Sequence, residues 1–243
     1  MRVLLTGAAS GLGAALARAC LARGDDLVAL DLTARPDWAM RADWVQVDLS
    51  QVPDWPALGA RLTQDGPLDL VILNAGISAT GPFERIPLPD HARVMQVNLH
   101  APVQIVAQLV QRNALARGGR LVLVGSLSTY TGYPGAASYA ASKDGLASLA
   151  TSLRKPLRAQ GVAVQLVCPG PMDTPHAERY APKGADKSRR IAPEAVADAI
   201  LTSRARVVLP GLGAKVAAFV GWLAPQMVTR VMGKVLFEKL RRS

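Results

Sequence analysis

The sequence predicts an α/β fold: one doubly wound parallel sheet of about seven strands with helices on both faces. Three observations predict it. Short runs rich in Val and Leu (RVLLT, DLVALD, WVQVDL, LDLVIL, RLVLVGS, VAVQLVC and RVVLP) recur along the chain, with helical stretches between them. These runs are continuously apolar rather than alternating, which suits strands buried on both faces. The alternation of strand and helix then demands right-handed crossovers between parallel neighbours.

Taken in order, RVLLT leads into a candidate helix over 11–23, and DLVALD and WVQVDL follow with little between them. A short helix is expected within 54–64, a long one over 90–115, another over 138–159 and a last core helix over 193–203. The segment 170–192 holds three prolines and no clear period, so it reads as a long surface loop over a binding site. With 243 residues, half of them apolar and 19% charged, the chain can fill one core but not two. The expected division is a domain over 1–212, including the 170–192 loop, and a helical extension over 213–243 that is not a domain of its own.

Cys20 and Cys168 lie far apart, and no Cys/His cluster has metal-ligand spacing, so neither a disulfide framework nor a metal site is expected. Met1 and Arg2 run straight into VLLTG without the regions of a signal peptide, and a reducing, cytoplasmic setting is expected. The net charge of +10 is concentrated at one end. Residues 204–243 hold eight Lys and Arg against one Glu, a net of +7, interleaved with Val, Leu, Met and Phe. Nucleic acid is therefore not the expected partner.

Thr6-Gly7-Ala8-Ala9-Ser10-Gly11-Leu12-Gly13 stands where a strand meets a helix. Glycines there permit a tight turn and a close approach to a pyrophosphate at the positive end of the helix dipole. The second strand ends in Asp31, 18 residues after Gly13, where a carboxylate can accept hydrogen bonds from an adenosine ribose and repel a 2′-phosphate. Ser10 and Leu32 occupy the positions where a base would compensate that charge, so NAD is expected in preference to NADP. Within GSLSTYTGYPGAASYAASK, Tyr139 and Lys143 are four apart and share one helix face. An ammonium beside a phenol favours the phenolate, so Tyr139 can exchange a proton with an alcohol or carbonyl while Ser126 holds the substrate oxygen.

Together these residues resemble the short-chain dehydrogenase/reductase family. The likeness spans about 1–175 in the family's order: TGAASGLG, Asp31, Asp48-Leu49, Asn74-Ala75-Gly76, Asn98, Ser126, YAASK and Pro169-Gly170-Pro171-Met172-Asp173-Thr174. The resemblance implies a Rossmann-type sheet and a homodimer or homotetramer. It implies an NAD(H)-dependent oxidoreductase that interconverts a small-molecule alcohol with a ketone or aldehyde. It further implies that Asp48 binds the adenine amino group, that 74–76 shapes the adenosine pocket and that Asn98 holds a water in a proton relay. Lys143 would also bind the nicotinamide ribose, and Pro169, Gly170, Met172 and Thr174 would seat the nicotinamide. A non-catalytic dinucleotide-binding sensor or scaffold is the alternative.

Two departures stand out. The short interval between Asp31 and Asp48 shortens the second crossover and leaves 33–42 as an irregular loop containing Trp38. The C-terminus continues past RVVLPGLG into QMVTRVMGKVLFEKL, an amphipathic basic helix, with Pro225 interrupting an apolar stretch too short to span a bilayer. Its apolar stripe either packs on the protein or lies in an anionic membrane interface through 213–243, which would also suit a hydrophobic substrate. Trp38, Trp44 and Trp55 are expected to pack. His91 and His100 are expected on or beside a helix, at its surface or packed, His176 at most in a lid, and Lys187-Ser188-Arg189-Arg190 in a solvated loop rather than as a receiver of an acidic substrate.

Overall fold

The computed structural model describes residues 1–52, 54–180, 188 and 190–241, the last helix by its backbone alone beyond residue 234. Strands β1 (Arg2–Thr6), β2 (Asp26–Asp31), β3 (Asp43–Gln46), β4 (Leu68–Leu73), β5 (Leu115–Val124), β6 (Ala163–Val167) and β7 (Val207–Val208) form one sheet in the order β3-β2-β1-β4-β5-β6-β7. Every pairing is parallel. The winding reverses between β1 and β4, and such a reversal opens a crevice at the carboxyl ends of the strands.

The apolar runs are continuous because both faces of the sheet are covered. In β1, Val3 and Leu5 point into one core with Leu16 and Ala17 of α1 (Gly11–Ala22). Leu4, between them, points into the other. Helices α2 (Trp55–Thr63), α3 (Leu88–Met95), α4 (Ala101–Gln111), α5 (Ser128–Thr131), α6 (Ala137–Ala159), α7 (Pro175–Tyr180) and α8 (Pro193–Thr202) follow in chain order. Val196 and Ile200 of α8 share the core of α1, whereas Leu62, Ile105, Leu109, Ala150 and Leu157 from α2, α4 and α6 fill the opposite one. Each such leucine or isoleucine contributes about 1.5–3 kcal/mol by leaving water.

Three local expectations change. The helix expected over 90–115 is broken into α3 and α4 by a wider turn, Gln96–His100, in which the Ala101 N–H reaches back to the Gln96 carbonyl. Pro102 has no N–H to give the Asn98 carbonyl four residues earlier, so regular α-helical bonding fails just there. The β2–β3 crossover shrinks to one tight turn, Asp37–Ala39, and Trp38 packs beneath the Arg18 guanidinium, 4.7 Å from the ring centroid. The 170–192 segment contains α7, and its base is pinned by a parallel bridge between Met172 and Ile191. Residues 181–187 and 189, with Lys187 and Arg189 of the basic run, lie outside the described residues.

Helices α9 (Leu212–Leu223) and α10 (Pro225–Arg241) complete the chain. Pro225 opens α10 rather than merely interrupting, a position where its missing N–H costs nothing. Among the described residues no helix is long and apolar enough to cross a membrane. A Cβ at Gly221 would lie 2.1 Å from the Tyr130 carbonyl oxygen, so α9 meets α5 through its smallest residues.

Candidate functional site

The crevice is a cleft of about 620 Å³ above the carboxyl ends of the strands. Its floor is the β1–α1 turn. Gly7 and Gly11 have φ of +69° and +52°, and a Cβ at Gly13 would meet the Gly7 carbonyl oxygen at 1.7 Å. Ser10 caps α1 without a side-chain bond and the first turn carries no acid, so the leading N–H groups of the helix face the cleft with the dipole's positive end behind them. That cradle fits a pyrophosphate, which needs close backbone approach and donors but no cation.

Thr6 lies beneath this turn rather than in the cleft. It is buried, and its hydroxyl accepts from the Asn74 and Ala75 N–H groups, both at 3.0 Å. The Asn74 amide donates to the carbonyls of Thr6 and Gly7, tying β4 to the turn, while Asn74, Ala75 and Gly76 also line the cleft. Leu12 is a buried wall residue.

At the other end of the turn, Asp31 and Leu32 line the cleft beside Asp48 and Leu49. The Asp31 carboxylate accepts from the Ala9 N–H at 2.9 Å and from the Thr33 N–H and hydroxyl at 3.0 Å. The Ser50 hydroxyl donates to Asp48 at 2.7 Å and holds its carboxyl below the usual range, with the Arg93 guanidinium 3.7 Å away adding to the effect. Arg41 turns away to the Leu21 carbonyl.

The third wall gathers the titratable side chains expected from the sequence. β5 ends just before Ser126, and α6 projects Tyr139 and Lys143 from one face into the same cleft. Burial pushes the Tyr139 phenol above its usual value, and the Ser126 side chain beside it acts in the opposite, smaller sense. Lys143 is buried, donates to the Val124 carbonyl at 2.9 Å and lies 5.7 Å from the Tyr139 ring centroid. Burial lowers its pKa to about 8. Asn98 is fully buried and does not line the cleft; its amide accepts from the Ile77 N–H at 2.8 Å and donates to the Ile77 carbonyl and the Ser142 hydroxyl. Ser142 in turn donates to the Tyr139 carbonyl at 2.6 Å, so Asn98 fixes the turn of α6 that presents Tyr139.

The model of the short chain dehydrogenase family matches residues 1–184. The chain belongs to the short-chain dehydrogenase/reductase family. Among curated relatives, 2-(R)-hydroxypropyl-CoM dehydrogenase of Xanthobacter autotrophicus is 31% identical over 186 residues, covering 71% of this chain and 74% of that protein. A short-chain dehydrogenase from Burkholderia cenocepacia J2315, solved with NADP, superposes with a TM-score of 0.78 at 26% identity, covering 96% of this chain and 99% of the other. 4-Hydroxyisoleucine dehydrogenase, solved with NADH, superposes at 0.75 and 25% identity, covering 87% and 98%. This short-chain dehydrogenase/reductase is thus an oxidoreductase by family.

Its remaining expected residues, Pro169, Gly170, Met172 and Thr174, line the cleft opposite Ser10 and Gly11. A Cβ at Gly11 would lie 3.1 Å from the Thr174 methyl, so the start of the substrate loop closes directly over the glycine turn. Sequence reading did not single out Tyr133 or Tyr180 on the rim, and it expected His176 at most in a lid. Tyr133 stands edge-on to Tyr139 with centroids 6.1 Å apart, and His176 lies 6.3 Å from Tyr139 and 4.8 Å from Tyr180. His176 is an exposed residue of α7, yet its ring turns in among these aromatics; that desolvation, with Lys143 and Arg179 adding, lowers its pKa to about 4. Arg190, expected in a solvated loop, is instead buried and ion-paired with Glu178 and Asp173. Met232 of α10 also reaches the cleft, a contact signalled only by the apolar stripe of the tail.

Proposed function

We propose that this chain interconverts a hydrophobic alcohol with its ketone or aldehyde using NAD(H), with Tyr139 as general acid/base. The observation that carries the reading is the convergence of Ser126, Tyr139 and Lys143, the last two on one helix face, in the cleft floored by the glycine turn. It also favours turnover over a sensor or scaffold role. A nicotinamide dinucleotide held by Gly7, Ser10–Gly13, Asp31, Asp48, Leu49 and 74–76 supplies the redox chemistry, hydride transfer at its C4. The chain's own groups do the rest. Ser126 holds the substrate oxygen against the phenol, and Tyr139 gives that oxygen a proton in reduction or takes it in oxidation. Lys143, charged below about pH 8, favours the phenolate and thereby offsets the effect of burial. Pro169, Gly170, Met172 and Thr174 seat the nicotinamide, and Asn98 orients the catalytic turn through Ser142. The rim of Tyr133, Leu127, Met172 and Met232 is apolar in body, which suits a lipophilic substrate. Residues 1–212 form the catalytic unit in this reading, and 213–243 extend it.

Tyr139→Phe tests the mechanism: NADH affinity stays within about twofold, while turnover falls by about 10²–10⁴. Unchanged turnover removes Tyr139 from its role. The choice of NAD rests on Asp31, whose charge repels a 2′-phosphate, while Arg93, the lining cation on that side, is turned to Asp48. Fluorescence titration should find NADH bound at least tenfold more tightly than NADPH; equal affinities overturn the preference.

Pairing into a homodimer or homotetramer, in a cytoplasmic setting, completes the proposal. The outer surface of 88–111 carries an apolar hollow of about 300 Å³ among Met95, Leu99 and Val103, which suits a symmetric helix contact. A monomeric mass by light scattering at micromolar concentration contradicts it.

A further inference from the structure

Helix α9 is packed inside out. Its buried stripe is Ala214, Ala218 and Gly221, and its exposed side carries Leu212, Val216, Phe219, Trp222 and Leu223, with Leu212 and Trp222 exposed by 78% and 72%. Leu212, Val216 and Phe219, with Trp222 and Leu223 three and four residues beyond Phe219, follow helical spacing and form one continuous face. Helix α10, which packs on α9, adds Met227 and Val231 to the exposed surface. A large apolar face of this kind marks a contact.

The charges identify what makes it. Lys215 on α9 and Arg230 and Lys234 on α10 are exposed among these apolar residues, within the segment whose eight basic residues face one acid. A second copy docking symmetrically would set these cations against their own counterparts. An anionic lipid surface meets both features at once: the headgroups neutralise the cations, and Phe219, Trp222 and Leu223 enter the acyl boundary, where an indole is favoured. We propose that the outer face of α9 and α10 docks on an anionic membrane surface. Met232, on the same helix as Met227 and Val231, lines the cleft, so docking brings the mouth of the cleft to the bilayer.

Co-sedimentation of the whole chain with vesicles tests this, and because it reads binding alone it is independent of the proposed reaction. Phosphatidylcholine vesicles containing phosphatidylglycerol should bind the chain at low salt, with about tenfold less bound by pure phosphatidylcholine or at high salt. The double variant Phe219→Ser with Trp222→Ser should lose this binding while keeping its melting temperature and NADH affinity. If that variant does not fold, Lys215→Glu with Arg230→Glu reads the electrostatic half. The proposal is overturned if the native chain fails to bind anionic vesicles at low salt or if the folded variants bind as well as the native chain. It is overturned equally if the exposed face holds an oligomer together, seen as a solution mass that falls in the double variant.

Discussion

Helices α1 and α9 are each twelve residues long, and both are built largely of Ala, Gly and Leu. They treat those residues in opposite ways. Helix α1 buries Leu12, Leu16 and Leu21 against the sheet and offers its bare N-terminus to the cleft. Helix α9 buries its small residues and turns its large ones outward. The sheet accepts bulky side chains because its own Val and Leu residues interlock with them, so α1 is anchored by its large residues while its N-terminus stays open to the cleft. Against the Tyr130 carbonyl there is no room even for a Cβ at Gly221, so α9 holds on by close approach and leaves its large apolar side chains exposed.

Disturbing the α1 side should have the largest effect. Gly13→Ala places a methyl where the Gly7 carbonyl oxygen already stands, and the glycine turn must move. Misplacement on the scale of an ångström at such a site costs about 10²-fold. NADH affinity should fall by about that factor or more, read by fluorescence titration. Native affinity would mean that the turn is not the anion cradle.

The Tyr139–Lys143 wall lies between the two extremes, because the proposed role of Lys143 costs stability. Burial depresses the Lys143 pKa from 10.5 to about 8. Below about pH 8 the side chain is charged in both folded and unfolded protein, and the folded state bears the desolvation penalty. From about 8 to 10.5 the unfolded chain binds more protons, so the stability of the cofactor-free protein rises with pH across that window. The full shift corresponds to about 3 kcal/mol. Lys143→Met removes that penalty but leaves the Val124 carbonyl without its donor, at about 1–2 kcal/mol. The variant should therefore be more stable by about 1–2 kcal/mol near pH 7, lose its rise in stability above pH 8, and lose turnover. A lower melting temperature near pH 7 would show that the ammonium is structural.

These contrasts explain which parts were legible in the sequence. Strands such as LDLVIL and the glycines of the β1–α1 turn carry local signals, because burial on both faces and positive φ each demand particular residue types. Tyr139 and Lys143 were legible as a pair because four residues on a helix fix their relation. The sequence singled out Thr6 and Asn98, but the structure places both outside the cleft lining. Each acts through a partner distant in sequence, Thr6 on the 74–75 backbone and Asn98 on Ser142. The ion pairs that bury Arg190 were hidden for the same reason. Pro102 did hold a signal for the wide turn at 96–100, but the apolar period of the long helix obscured it. In the tail, the helical period pointed to one apolar stripe opposed to Arg230 and Lys234. The structure divides that stripe: Met232 faces the cleft, while Met227 and Val231 are exposed along with both cations. Periodicity reports an amphipathic helix but not which neighbour takes each side.

The smallest expected effect gives the sharpest comparison. Leu16→Ala in α1 and Phe219→Ala in α9 both truncate a large apolar side chain on a twelve-residue helix, and Phe219 removes more carbon. Leu16 is wholly buried, so its loss leaves a cavity and should cost about 2–5 kcal/mol. Phe219 is 61% exposed, and its ring lies near that of Trp222, with centroids 6.4 Å apart. Its truncation should change the unfolding free energy by no more than about 0.5 kcal/mol, as for surface sites generally. Denaturant unfolding of the two variants under one condition measures both. A cost for Phe219→Ala near that of Leu16→Ala would mean that its face is already covered in solution, by a second copy or by the chain itself. A negligible cost leaves the face uncovered in the isolated protein, available to a surface that dilute buffer does not contain.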